Sequence, residues 1–244
     1  MKNVWGIILA TALLLGLSPA ATAQNPVVVE LFTSEGCSSC PPADSVLMAL
    51  SRQGSQSGPP LILLGEHVDY WNYIGWTDRF SSAQFSQRQN DYAKALHGQV
   101  YTPQMVIDGR VEFVGNEMGE VRRRIDEAAK QPKPVKVDLR WEGKDLHVSA
   151  QPSGDVHGKL LLAITEDGLS TSVGGGENGG RTLHHAAVVR QLRQIGDING
   201  KSVELTVPVA PNSDWNRANL NVAVLAEDPV TQKILGAAEI KFEH

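Results

Sequence analysis

Apolar and polar positions along the chain fall into two regimes that change near residue 131. In the first, short β-branched runs alternate with stripes at helical spacing. Val27 to Phe32 (VVVELF) predicts a mostly buried strand. Thr33 to Cys40 is a turn rich in Ser and Gly, followed by Pro41 and Pro42. Proline suits the first turn of a helix, where its missing N–H has no partner to lose, and Val46, Leu47 and Leu50 give that helix an apolar stripe as far as Gln53. Gly, Ser and Pro from Gln53 to Pro60 form a loop, and Leu61 to Leu64 is a second buried strand running toward His67. After the aromatic stretch Tyr70, Trp71, Tyr73, Trp76 and Phe80, helix-spaced apolar positions predict a helix from about Asp78 to Leu96. Tyr101-Thr102-Pro103 leads into a third strand, Gln104 to Ile107. Asp108-Gly109 signals a hairpin turn into Val111–Val114, and Glu117 to Lys130 is a final helix with Arg122, Arg123 and Arg124 on a solvated face.

Beyond Pro132 and Pro134 the pattern becomes alternation. Val135, Val137, Leu139 and Trp141 share one face, and Leu146 and Val148 follow a Gly143 turn. Leu160 to Ile164, Val203 to Val207, Leu220 to Val224 and Ile234 to Phe242 continue the theme, while Val188 to Ile195 fits strand or helix equally. Short strands separated by turns predict a small β-sandwich. The expected organisation is an α/β domain over 24–131 and an all-β sandwich-like domain over 132–244.

Residues 1–23 stand apart. Lys2, an apolar run from Val4 to Leu17, a Ser18-Pro19 break and Ala21-Thr22-Ala23 make up a secretory signal peptide with its cleavage site. The run is shorter than the roughly 18–20 residues that span a bilayer, so the leader is expected to be cleaved rather than to anchor the chain. Removing 23 of 244 residues leaves 221, and the net charge of −5 becomes −6 because the leader holds one Lys and no acid. An acidic chain is a poor general nucleic-acid binder. The expected product is secreted or periplasmic, in an oxidising compartment where a cysteine pair can work as a disulfide.

The chain has two cysteines, Cys37 and Cys40, on a turn between strand and helix. A thiolate is the attacking species in disulfide exchange, and a helix N-terminus favours it through unpaired N–H groups and the helix dipole. A bridge over three positions closes a tiny loop and constrains little of the unfolded chain, so its structural value is small. Two soft thiolates also suit copper(I), and His67, at the same edge of the sheet, makes Cys37, Cys40 and His67 an alternative three-ligand copper site for a metallochaperone. A proline at 103, if cis, faces the cysteine turn, and the backbone of Thr102 can then pair with an extended substrate. Gly174 to Gly180 lacks the Lys-Ser/Thr of a phosphate loop and reads as a flexible β-loop. His184 and His185 point to opposite faces of a strand, make a poor chelate and read as surface or interdomain polar groups.

The run Glu30-Leu-Phe-Thr-Ser-Glu-Gly-Cys-Ser-Ser-Cys-Pro-Pro-Ala-Asp44, with Val100-Tyr-Thr-Pro-Gln-Met-Val-Ile-Asp-Gly109, closely resembles the secreted bacterial thioredoxin-like family known as domain of unknown function 1223, within the thioredoxin superfamily. The resemblance covers nearly the whole chain after the leader. It implies a thioredoxin-like fold for 24–131, with Cys37 as attacking cysteine, Cys40 as resolving cysteine, and Thr102, Pro103, Ser38 and Ser39 shaping a substrate groove. Thioredoxin itself has an acid six positions before the first cysteine. Here that position is Leu31, with Glu30 beside it on the opposite face. Glu35, in the turn, disfavours a thiolate if it lies close, whereas the two serines favour one. The function expected is exported thiol–disulfide oxidoreductase, acting on protein or small thiols with an unidentified redox partner and no cofactor beyond the disulfide. A non-enzymatic binding module is the remaining alternative.

Overall fold

The computed structural model describes residues 25–53 and 58–243, so the signal-peptide assignment and the middle of the Gln53–Pro60 loop lie outside the described residues. The chain forms β1 (Val27–Thr33), α1 (Pro41–Gln53), β2 (Leu61–His67), α2 (Ala83–Ala95), β3 (Gln104–Ile107), β4 (Val111–Phe113) and α3 (Met118–Ala129). Strands follow: β5 (Val135–Glu142), β6 (Asp145–Pro152), β7 (His157–Glu166), β8 (Leu169–Ser172), β9 (Thr182–His185), β10 (Val188–Asn199), β11 (Val203–Pro208), β12 (Leu220–Glu227) and β13 (Ile234–Lys241). The result is a mixed α/β fold dominated by one large sheet.

That sheet has eight strands in the order β13-β12-β7-β10-β2-β1-β3-β4. β1 and β2 are parallel, and β3 and β4 run antiparallel beside β1. The strands after residue 131 therefore continue the sheet begun before it. The link is β10 lying parallel to β2, with Val188 opposite Gly65 and the Gly65 N–H bonded to the Ala187 carbonyl at 2.7 Å. The sheet curls far enough that the Ile234 N–H, at the start of β13, donates to the Asp108 carbonyl beyond β3 at 3.0 Å. Gly109 sits at φ 62° in that turn, and a Cβ there would stand 2.0 Å from the Gln232 carbonyl oxygen, so only glycine admits the contact.

Alternation along the strands divides the sheet into two apolar faces. Val27, Val29 and Leu31 pack with Leu47 and Leu50 of α1 and with Val121 and Ile125 of α3. On the other face Val28, Ile62 and Leu64 pack with Phe85 of α2 and with Leu161, Ala163, Ala223 and Leu225, inside the curl. A three-stranded sheet, β11-β6-β5, closes its own core over Leu160, Leu162, Ile164, Val222 and Val224.

Helix α2 starts at Ala83, five residues later than the spacing predicts. Asp78 draws the preceding residues into a turn by accepting the Phe80 N–H at 2.9 Å and the Ser81 N–H, and Ser82 caps the helix through the Gln84 N–H at 3.1 Å. The ambiguous segment from Val188 is strand β10. Register shifts at Val189/Gln191 and Gln194/Gly196 break its alternation, which is why its period was unreadable.

Candidate functional site at the cysteine turn

The buried strand β1 brings the chain to the turn, and α1 leaves it one residue after Cys40. Cys37 and Cys40 form a disulfide with Cα atoms 5.5 Å apart. Backbone bonds hold the turn: the Cys37 N–H donates to the Ser34 carbonyl and the Cys40 N–H to the Cys37 carbonyl. The Cys40 carbonyl then accepts the N–H groups of Ala43 and Asp44, at 2.9 and 3.1 Å, and so starts the helix. Both cysteines are fully buried, whereas Ser38 and Ser39 are exposed.

The Ser39 hydroxyl lies 3.3 Å from Cys37 Sγ and donates to the Thr102 carbonyl at 3.3 Å. The Thr102–Pro103 peptide is cis, and the Thr102 hydroxyl accepts Trp71 Nε1–H at 2.8 Å. The structure thus brings Cys37, Ser39, Thr102 and Trp71 together. Of the aromatic stretch, Tyr70 and Trp71 pack against Phe32, Tyr92 and Val106, Trp76 reaches the turn, and Tyr73 points to solvent.

The glycine-rich loop packs on the turn, so its expected flexibility gives way to a specific set of contacts. Glu177 accepts the Ser38 N–H at 3.0 Å, and hydrogen bonding from the Ser38 side chain and backbone holds its carboxyl below the ordinary range. Asn178 is fully buried, and its amide donates to the carbonyls of both Glu35 and Cys37 at 2.9 Å. Arg181 supports the Asn178 side-chain oxygen at 2.8 Å. The loop lies so close that a Cβ on Gly175 would sit 2.4 Å from the Gly75 carbonyl oxygen.

Behind the turn lies a buried cluster of ionisable groups. Asp78 Oδ2 accepts the Glu35 N–H at 2.9 Å and meets His67 Nδ1 at 2.6 Å. Burial disfavours the His67 imidazolium, but the Asp78 carboxylate outweighs it and holds the pKa of His67 above its ordinary value. Burial likewise pushes the Asp78 carboxyl up, and the His67 charge and hydrogen bond outweigh it, leaving it lowered. Glu35 accepts Trp76 Nε1–H at 2.8 Å and approaches His185 Nε2 at 3.3 Å. Against burial, its contact with His185 leaves its pKa lowered. Asp44, in the first turn of α1, is raised by burial despite the nearby His185 and His67. The His67 and His185 rings meet edge to face at 4.8 Å, and both abut Phe80.

His184 is exposed, whereas His185 is buried against Glu35 and His67 of the first half, so of the two expected placements it takes the interior one between the halves. Strand alternation separates the two histidines, yet only the tertiary fold shows which one turns inward. Among the described residues, no three His, Cys, Asp or Glu are grouped to hold a metal ion, and the Nδ1 of His67 is taken by Asp78. Leu31 packs on the α1 face, and Glu30 is on the opposite face, bonded to Arg88 at 2.7 Å.

Residues 28–227 match the model of the family described as "Protein of unknown function (DUF1223)". The chain belongs to this family. Among solved structures, protein AGR_C_4864 from Agrobacterium tumefaciens is similar at 28% identity and a TM-score of 0.73, over 89% of this chain and 95% of that one. HBP35 of Porphyromonas gingivalis is similar in fold at 14% identity and a TM-score of 0.66, over 90% and 76%. No curated protein matches. In this DUF1223 chain, Asp44, Asp78, Glu177 and Asn178 are site residues that the sequence did not single out, and His185 is one that it offered only as a surface or interdomain polar group. The histidine pair at a strand end was the one signal in the sequence; nothing local distinguishes the Glu-Asn pair within its glycine run.

Proposed function

We propose that this DUF1223 protein is an exported thiol–disulfide exchange protein in which Cys37 attacks and Cys40 resolves. One observation carries the reading: the cysteine pair bridges a strand–turn–helix junction and is touched, through Ser39, by the backbone of Thr102. The strand order β2-β1-β3-β4, with α1 and α3 on one face and α2 on the other, supports a thioredoxin-like arrangement of the first half. The leader-like sequence of residues 1–23 supports export.

In the direction that oxidises the cysteine pair, the Cys37 thiolate attacks a substrate disulfide. A Cys37–substrate disulfide forms and one substrate thiolate leaves. Cys40, as thiolate, then attacks the Cys37 sulfur, and the second substrate thiolate leaves. Two electrons pass to the substrate, and the reverse sequence oxidises a dithiol. The N-terminus of α1 and the serine hydroxyls favour the thiolate form of Cys37. Because Cys37 is fully buried in the disulfide form, attack requires the turn to open.

The test is trapping with Cys40→Ser, which stops the sequence at the mixed disulfide. Accumulation of mixed disulfides with exported proteins, abolished by Cys37→Ser, is the expected result. If none accumulates and the wild-type disulfide does not equilibrate with glutathione, the redox reading fails.

A further inference from the structure

The large sheet leaves a gap at the end of β2 remote from the cysteine turn. β10 meets β2 at one pair, Val188 opposite Gly65, and leaves the earlier part of β2 without a neighbour on that side. The Val27 N–H donates to the Pro60 carbonyl, and the Gly65 N–H donates to the Ala187 carbonyl. Even-numbered residues of β2 therefore bond β1, and odd-numbered ones face the gap. The N–H and C=O groups of Leu61 and Leu63 form a bare edge, with no strand of the described residues beside it. That edge is one wall of a cavity of about 880 Å³, within the size range of ligand sites.

The facing wall is polar. In the register of β7, β12 and β13, Thr165 stands opposite Asn221 and Asn221 opposite Lys241. Alternation puts these side chains, with Glu239, on the face that Leu161, Ala163, Ala223 and Ala237 share inside the curl. Asp167 joins them, accepting the Ala187 N–H at 2.9 Å and the Ser51 hydroxyl and Asn221 amide at 3.3 Å. Two observations mark this wall as more than an acidic patch. The Thr165 hydroxyl is fully buried and has no hydrogen-bond partner, although buried polar groups are nearly always paired. The Glu239 carboxylate opens on the cavity, and no group of the described residues bonds it. Desolvation by the enclosing walls and the Asp167 charge push its pKa up to about 7 against the pull of Lys241, the state of a carboxylate short of a cation. The other lysines at the cavity are engaged, Lys133 by Asp108 at 2.7 Å and Lys136 by Asp138 at 2.8 Å.

An ammonium group supplies what is missing: three donors for acceptors on Asp167, Glu239 and Thr165. The bare edge calls for an extended backbone, whose N–H and C=O groups repeat at the spacing of β2. The Ala187–Gly65 bond closes one end of the gap, and Asp167 stands beside that closure. A chain end fits there, and a chain running through does not. We propose that this cavity binds the amino-terminal end of an extended peptide, paired as an added strand with Leu61 and Leu63 and with its α-ammonium held by Asp167, Glu239 and Thr165. Leu61 to Gly65 spans about 13 Å, which is room for roughly four residues. Leu50, Ile62, Val137 and Ala237 line the cavity and favour small or apolar side chains over charged ones. The site lies apart from the cysteine pair and stands or falls independently of the redox reading.

The test is isothermal titration calorimetry of the exported protein at neutral pH with three probes. These are Ala-Val-Ala-Val-amide, its N-acetylated form, and a free-amino form with its two central backbone nitrogens methylated. The first is expected to bind one to one. Acetylation and methylation should each weaken binding by roughly tenfold or more, the scale of losing a hydrogen bond to a charged group. Glu239→Gln should weaken the free peptide to a similar degree and leave the weak binding of the acetylated one unchanged. If Glu239→Gln does not fold by circular dichroism, the three probes on the wild type decide alone. Equal binding of the free and acetylated peptides overturns the ammonium site. Equal binding of the methylated peptide overturns the strand pairing, leaving a simple amine pocket. No binding at millimolar concentration overturns the whole proposal and leaves the cavity to solvent or to the chain's own start, since Asn25 and Pro26 also line it.

Discussion

Two buried polar clusters flank the centre of the large sheet, and they are built on different cations. On the α2 side, Arg88 bonds Glu30 at 2.7 Å, Glu227 at 2.7 Å and the Tyr92 hydroxyl at 2.9 Å, and lies 3.4 Å from Glu66. Lys159 adds a second contact to Glu227 at 2.8 Å. Burial holds the Glu66 carboxyl well above its ordinary range in spite of Arg88. Behind the cysteine turn, the basic groups that meet the carboxylates of Asp78 and Glu35 are two imidazoles, His67 and His185. Guanidinium keeps its charge at every accessible pH, whereas the charge of His67 depends on its carboxylate partner, Asp78, which holds its pKa above the ordinary value. The first cluster ties β1, β2, α2 and β12 together, and the second joins the cysteine turn to β2, to the loop after it and to β9.

Arg88→Met is the most damaging way to probe this contrast. It strands carboxylates inside the curl, and breaking a buried ion pair costs about 3–5 kcal/mol. Urea denaturation is expected to show a loss of that size, and a loss below about 1 kcal/mol would remove the structural role assigned to Arg88. Asp78→Asn is next, at about 2–3 kcal/mol near neutral pH, the scale of a hydrogen bond to a charged group. Because the folded pKa of His67 is raised, its contribution is complete below the ordinary histidine value and fades as pH rises through the folded one. Because that of Asp78 is lowered, its contribution is complete above the ordinary carboxylate value and fades as pH falls through the folded one. Urea melts across pH 3 to 9 should show the wild-type advantage over Asp78→Asn shrinking at both ends, and a constant difference would contradict the pairing.

Asn178→Ala removes two hydrogen bonds to backbone carbonyls and should cost about 1–2 kcal/mol, with faster reduction of the disulfide by dithiothreitol. The smallest effect is expected for Glu177→Ala. Its melting temperature should match that of wild type, while dithiothreitol reduces the disulfide severalfold faster because the Ser38 N–H has lost its anchor. Glu177 has a lowered pKa, so this rate difference should vanish only below the ordinary carboxylate range. Equal rates at pH 7 would show that Glu177 does not guard the turn.

What could be read from sequence follows the distance over which each feature is decided. The β1–turn–α1 unit was legible because Val27–Phe32, the cysteines, Pro41 and the Val46/Leu47/Leu50 stripe are all local. The opposite facing of Glu30 and Leu31 followed from strand alternation alone. Asn178 and Glu35 are 143 positions apart, and no local pattern announces such a contact. The shared sheet was hidden for a related reason. Alternation shows that a strand has a buried face, but it does not reveal that β10 lies beside β2. Nor does it distinguish His185 from His184, since either phase of a strand is possible until its partner is known.

The parallel placement of β10 against β2 has a consequence for modularity. A fragment ending at Gln131 would keep the cysteine turn but leave the outer edge of β2 bare, with the Gly65 N–H unpaired and the Val28–Ile62–Leu64 face short of its cover. Bare strand edges recruit other chains. Cutting the molecule there would yield a sticky half-sheet rather than a smaller working protein, so the two halves fold as one piece.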